Sequence, residues 1–127
     1  MDAIDKPVVI YTTLPTLASA EEIGGALVEG GLAACVNILP GMVSIYCWQG
    51  QQQRDEELVM IVKTTASVAK AVEVEINQRH PYDVPAVVMW PITGGSGDYL
   101  RWVGRQRGAI GRFWCADQGV LEPTHYT

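Results

Sequence analysis

The side chains whose chemistry stands out in this sequence are Cys35, Cys47 and His80, with Glu56, Glu57 and Asp83 as further oxygen donors. Thiolates and imidazoles favour copper and zinc over hard cations, so a contact with copper or another divalent cation would draw on His80 and Cys35. His80 is expected at the exposed end of a helix beside Tyr82 and Asp83, where an imidazole titrates near neutrality. Its competing reading is structural, a histidine that caps the helix. Cys35 has a competing reading too, as a small buried hydrophobe whose raised thiol pKa disfavours metal. Cys47 follows twelve residues further along one extended run, on the order of 40 Å away at ~3.3 Å per residue, so the two thiols cannot chelate one ion within a chain. No H-x-H, C-x-x-C or H-E-x-x-H spacing occurs, which argues against a preformed intrachain metal site. Cys35 and His80 as nucleophile and base lack anything to position them or to supply an oxyanion hole, and no enzymatic activity is expected.

The elements that would position these groups follow from the apolar periodicity. Val8 to Thr13 is a compact β-branched run and predicts a buried strand. Ser19-Ala20-Glu21-Glu22 has the capping-box pattern, so a helix is expected from Ser19 with acidic residues in its first turn and a stop at Gly30-Gly31. Gly24 and Gly25 each cost about 1 kcal/mol against alanine in a helix, which makes this helix dependent on packing. Leu32 to Trp48 reads as a long edge strand with a kink or bulge at Pro40-Gly41, Gln49 to Asp55 as a solvated hairpin tip, and Glu56 to Thr65 as the returning strand. Val68, Val72 and Ile76 then recur at helical spacing, with Arg79 and His80 in the last turn and Pro81 as terminator. Val84 to Ile92, with two prolines, suits a sheet edge, and Tyr99 to about Arg107 predicts a short third helix.

The order β-α-β-β-α-β plus a helix is the ferredoxin-like signature: an α+β fold with an antiparallel four-stranded sheet and a long β2-β3 hairpin. One domain over residues 1–127 is expected, with a core at 7–107 and a C-terminal extension at 108–127. Right-handed crossovers place both main helices on one sheet face and leave the other face without cover from this chain, so copies of the chain are expected to bury it. In the tail from Gly104 to Thr127, Arg105, Arg107 and Arg112 lie near Phe113, Trp114 and Cys115, an interleaving that could stack on bases, but self-docking is the favoured reading.

Composition narrows the partners. At 18% the charged fraction of this 127-residue chain falls below the usual quarter, consistent with surface hidden in an assembly. A net charge of −5 argues against a nucleic-acid or anionic-membrane binder, and no apolar run approaches the ~18 residues that span a bilayer. The opening MDAIDKP lacks signal-peptide architecture and three cysteines form no disulfide framework, so a cytoplasmic location is expected. The Gly94 to Asp98 loop precedes a helix, where free N–H groups can hold an anion, yet it lacks the G-x-x-x-x-G-K-[ST] pattern. A loop capped by Ser96 or Asp98 is the favoured alternative.

Several words of the sequence resemble one family across about Val8 to Trp102: Ala33-Ala34-Cys35-Val36-Asn37, Ser44-Ile45-Tyr46 with Trp48 and Gly50, Lys63-Thr64-Thr65, His80-Pro81-Tyr82 with Pro85, and Tyr99-Leu100-Arg101-Trp102. The chain resembles the CutA divalent-cation tolerance proteins. The resemblance implies a ferredoxin-like protomer in a compact homotrimer whose hairpins reach into neighbouring subunits. It also implies a role in copper and divalent-metal tolerance, with no defined enzymatic reaction. The metal ligands it implies are a cysteine at the end of the first strand and a His-His pair before Pro-Tyr. Those positions hold Thr12, Arg79 and His80 here, so only one of the three is a soft or borderline donor. A second functional reading is a PII-like binding module whose intersubunit clefts take a small anion or a protein partner through Arg101, Arg105 or the Gly94-Gly95 loop.

Overall fold

The computed structural model describes residues 5–107, so the C-terminal extension at 108–127, with Arg112, Phe113, Trp114 and Cys115 of the arginine-aromatic pattern, lies outside the described residues. The elements are β1 (Pro7–Leu14), α1 (Leu17–Glu29), β2 (Cys35–Trp48), β3 (Gln51–Thr65), α2 (Ala66–Arg79), β4 (Val87–Pro91) and α3 (Gly97–Arg107). The four strands form one antiparallel sheet in the order β2-β3-β1-β4. This is the ferredoxin-like α+β architecture: β2 with Pro40 and β4 with Pro91 lie at its edges, and the central β1 carries a proline only at its first position, Pro7, as the missing proline N–H donors require.

The core lies between the sheet and the first two helices. Ile10 and Leu14 of β1 and Met60 and Val62 of β3 face Ala20, Ile23 and Leu27 of α1 and Ala69, Val72 and Ile76 of α2. Each fully buried Val, Leu, Ile or Met side chain among them contributes roughly 1.5–3 kcal/mol. Gly24 lets α1 come close to the edge strand: a Cβ there would lie 3.0 Å from Val36 Cγ1. Gly25, by contrast, has open space around it.

The first helix starts earlier than the capping-box pattern suggests. Thr16 is its N-cap, accepting from the Ser19 N–H at 3.1 Å, while the Ser19 hydroxyl donates back to the Thr16 carbonyl at 2.9 Å. Ser19 therefore lies inside the first turn, and no acidic residue occupies that turn.

The hairpin is longer and its tip tighter than expected. β2 and β3 pair continuously to Trp48↔Gln51, leaving Gln49-Gly50 as a two-residue turn with φ of 52° and 79°, the positive pair that right-twisted hairpins favour. Gln51 to Asp55 are strand because β2 supplies their backbone partners, while their polar side chains stay wet. The bulge falls between Leu39 and Met42, at Pro40-Gly41. The fourth strand is shorter than Val84 to Ile92, beginning at Val87 where pairing with Thr12 begins.

The sheet face opposite the two main helices is covered at one end by this chain, contrary to the expectation of a bare face. Register places Cys35, Lys63, Val9 and Trp90 in one row on that face, and Lys63 Nζ lies 5.2 Å from the Tyr99 ring centroid of α3, within cation–π range. Helix α3 thus packs on β3 and β1 and buries Val103. Beyond it, Tyr11 stacks on Trp90 at 5.1 Å.

Candidate functional site

The two expected ligands are not brought together. Cys35 sits opposite Lys63 at the α3-covered end of the open face, whereas His80 reaches the carbonyl of Thr13, whose strand partner is Val59. Lys63 and Val59 are four strand positions apart, about 13 Å at ~3.3 Å per residue.

His80 is buried, at 8% exposure, and not the exposed helix end expected of it. Its backbone N–H closes α2 on the Ile76 carbonyl at 2.9 Å. The chain then turns at Pro81, which brings the Tyr82 N–H to His80 Nδ1 at 3.1 Å. A ring nitrogen that accepts carries no proton, so Nε2 holds it and donates to the Thr13 carbonyl at 2.6 Å. Both ring nitrogens are therefore engaged within the chain. The imidazole ties the end of α2 to β1.

Cys35 is half-buried and free, and not sunk in the helix-facing core. Burial pushes its thiol pKa up, with the nearby Lys63 ammonium opposing, which lowers the thiolate fraction that a metal would need. Cys47 is exposed on the hairpin opposite Gln52. Among the described residues, no three His, Cys, Asp or Glu side chains converge in a way that could hold a metal ion. The donor set of the described residues does not fit a preformed metal centre.

What does converge is a network of phenols and carboxylates on the outer half of the hairpin. Tyr82 donates to Glu57 Oε1 at 2.9 Å, Tyr46 donates to Asp55 in a close contact, and the His80 and Tyr82 rings lie 4.8 Å apart. Partial burial, then the Glu57 hydrogen bond and the neighbouring negative charges, push the Tyr82 hydroxyl up to about 12. The Asp55 hydrogen bond likewise raises Tyr46. Glu57 and Asp55 each spend an acceptor on a phenol, which makes this a wet structural network on the open side. Sequence reasoning missed the Tyr46–Asp55 contact because the expected hairpin tip, Gln49 to Asp55, was too wide and left Asp55 out of the returning strand. With the turn at Gln49-Gly50, Tyr46 faces Gln53 and lies diagonal to Asp55, a cross-strand relation within reach of a long side chain.

A second convergence missed in the sequence is at Asp5. Its carboxylate accepts from the Ser67 N–H at 2.9 Å, from the Thr65 and Ser67 hydroxyls and from Arg107 at 2.7 Å. It serves as a remote cap for the N-terminus of α2. Partial burial works against the charge, but the Ser67 and Thr65 hydrogen bonds and Arg107 prevail and lower its pKa. The Gly94 to Asp98 loop leads into α3 with Ser96 accepting from the Tyr99 N–H, so its capping reading holds.

Comparison with known proteins identifies this frame. Residues 8–106 match the model of the CutA1 divalent ion tolerance protein family. The chain belongs to that family. A divalent-cation tolerance protein CutA of Thermus thermophilus is 44% identical over 100 residues, which cover 79% of this chain and 97% of that one. The chloroplastic CutA protein of Arabidopsis thaliana is 43% identical over 96 residues, covering 76% of this chain and 53% of the relative. The match therefore spans about half the length of the plant relatives. Among solved structures, CutA1 of Ehrlichia chaffeensis superposes with a TM-score of 0.80 at 30% identity, covering 84% of this chain and all of that one. The Thermus thermophilus CutA1 structure gives 0.76 at 43% identity, covering 79% and 97%.

The CutA1 resemblance gives Thr12, Arg79 and His80 their interest, and the fold separates them in kind. Thr12 is fully buried, and its hydroxyl has no hydrogen-bond partner among the described residues. Arg79 is paired with Glu75 one turn earlier on α2. A hydroxyl, a guanidinium and a doubly engaged imidazole are a poor ligand set for copper, so within the CutA1 frame this chain holds no intrachain copper cage among its described residues.

Proposed function

We propose that this CutA1-family chain acts in the cytoplasm as a small homotrimeric divalent-cation tolerance protein, that copper is among its cations, and that it is not an enzyme. Family membership supports the cation-tolerance part. The assembly rests on one observation: Leu39 at 51%, Ile45 at 64%, Trp48 at 62% and Trp90 at 47% exposure spread along the hairpin and the open sheet face. Apolar surface of that extent, flanked by the open edges of β2 and β4, is what proteins bury against a partner. Three is the number that the family resemblance implies.

Cation contact in this reading is weak, because His80 would have to release Thr13 and Tyr82 to bind, and the Cys35 thiol is held in its protonated form. Calorimetric titration of the assembled protein with Cu(II) tests it. A small heat reduced by His80→Ala or Cys35→Ala is the expected result. A titration unaltered in both variants removes these side chains from the contact, and no heat at all rejects the cation reading.

A further inference from the structure

We propose that the crevice between α3 and the start of β1 is a binding site for a small organic carboxylate, independent of the assembly and cation readings above. The crevice has a volume of about 560 Å³ and is lined by Asp5, Pro7, Gly97, Leu100, Arg101, Gly104 and Arg105. That size falls within the range of small-molecule sites.

Its lining follows from helix geometry. Gly97, Leu100, Arg101, Gly104 and Arg105 recur at three- and four-residue spacing and so form one stripe of α3. A Cβ at Gly104 would meet nothing within 4 Å, so the crevice is open at that position. The Arg101 guanidinium folds over the first turn of α3, 3.3 to 3.7 Å from where a Gly97 Cβ would stand. Pro7 and Leu100 supply apolar walls.

Charge decides the class of occupant. Asp5 lines the crevice, but its carboxylate is already held by Ser67, Thr65 and Arg107. Arg101 pairs with Asp98, whose side chain is 93% exposed, and so exposed an ion pair is worth little and readily exchanged for a ligand. Arg105, one turn on, has no acidic partner among the described residues. Two guanidinium forks over apolar walls match a planar carboxylate carried on a compact apolar body. In a chain of net charge −5 this is a local positive spot.

The full chain, labelled with ¹⁵N, is titrated with sodium benzoate and separately with benzyl alcohol, which has the same ring and no charge. Benzoate is expected to give saturable shifts confined to amides near Asp5 to Val8 and Gly97 to Arg105, and benzyl alcohol none of comparable size. Arg105→Gln should weaken the benzoate Kd about tenfold, as loss of one charge-assisted hydrogen bond implies. Gly104→Leu should abolish binding by filling the space, and Arg54→Gln on the hairpin should leave it unchanged. Absence of saturable benzoate shifts overturns the proposal. Equal shifts with benzyl alcohol, or an Arg105→Gln Kd no weaker than that of Arg54→Gln, overturn it as well.

Discussion

Asp5 at the approach to β1 and Arg107 at the end of α3 meet in an ion pair of 2.7 Å, and the same carboxylate caps α2 through Ser67 and Thr65. One acidic side chain thus ties together three segments far apart in sequence.

That tie makes stability acid-sensitive in a defined window. Because folding lowers the Asp5 pKa, its contribution is fully present above the unfolded value of about 3.9 and drains away as pH falls through the lower folded value. Asp5→Ala should cost about 1–3 kcal/mol at neutral pH, the range for stranding its donors. Urea melts at pH 7 and pH 3 check it: the gap between Asp5→Ala and the parent should shrink at the lower pH, and a constant gap would count against the assignment.

The adjacent glycines of α1 should respond oppositely to alanine. Gly25→Ala adds a methyl to open space and should stabilise by about 0.5–1 kcal/mol through helix propensity. At Gly24 the same methyl would lie 3.0 Å from Val36 Cγ1, and overpacking costs typically about 1–3 kcal/mol, so Gly24→Ala should be destabilising. Thermal melts of the two variants decide it, and equal gains would show that α1 can move off the sheet.

The Tyr82 phenol gives an alkaline counterpart. Its pKa is raised to about 12, so the neutral form is the one the fold favours. The stability it adds is present below the unfolded value of about 10 and is lost as pH rises towards 12. Phenolate absorbance should show Tyr46 and Tyr82 both titrating late. Tyr82→Phe should remove the step at about 12, and Glu57→Gln should only move it down, because burial also raises it. Persistence of that step in Tyr82→Phe would assign it to another tyrosine.

Where the sequence was legible, the reason is periodicity. The β-branched and apolar richness of β2 and of the second half of β3, the i, i+4, i+8 spacing of Val68, Val72 and Ile76, and the prolines at 40, 85 and 91 encode strand, helix and edge directly, and the element order followed. The errors fall where a side chain chooses between equivalent local partners. Thr16 and Ser19 both suit an N-cap, and only the preceding chain path decides for Thr16. Gln51 to Asp55 read as loop because they are polar, but backbone pairing with β2 holds them as strand. His80 looked exposed because its sequence neighbours are polar. Its burial depends on the Thr13 carbonyl, 67 residues away, which no local pattern reports. The carboxylate of Asp5 belongs to the same class of long-range contact.

The central claim is that copies of this chain cover the exposed hairpin and open sheet face, where Ile45 is 64% and Trp48 62% exposed. Sedimentation equilibrium over a dilution series tests it most directly, with Ile45→Arg as the variant that plants a charge on the hairpin. The predicted result is a mass of three chains that persists on dilution and falls in the variant. A monodisperse species of 13.8 kDa for the unmodified sequence, stable across the series, would contradict it.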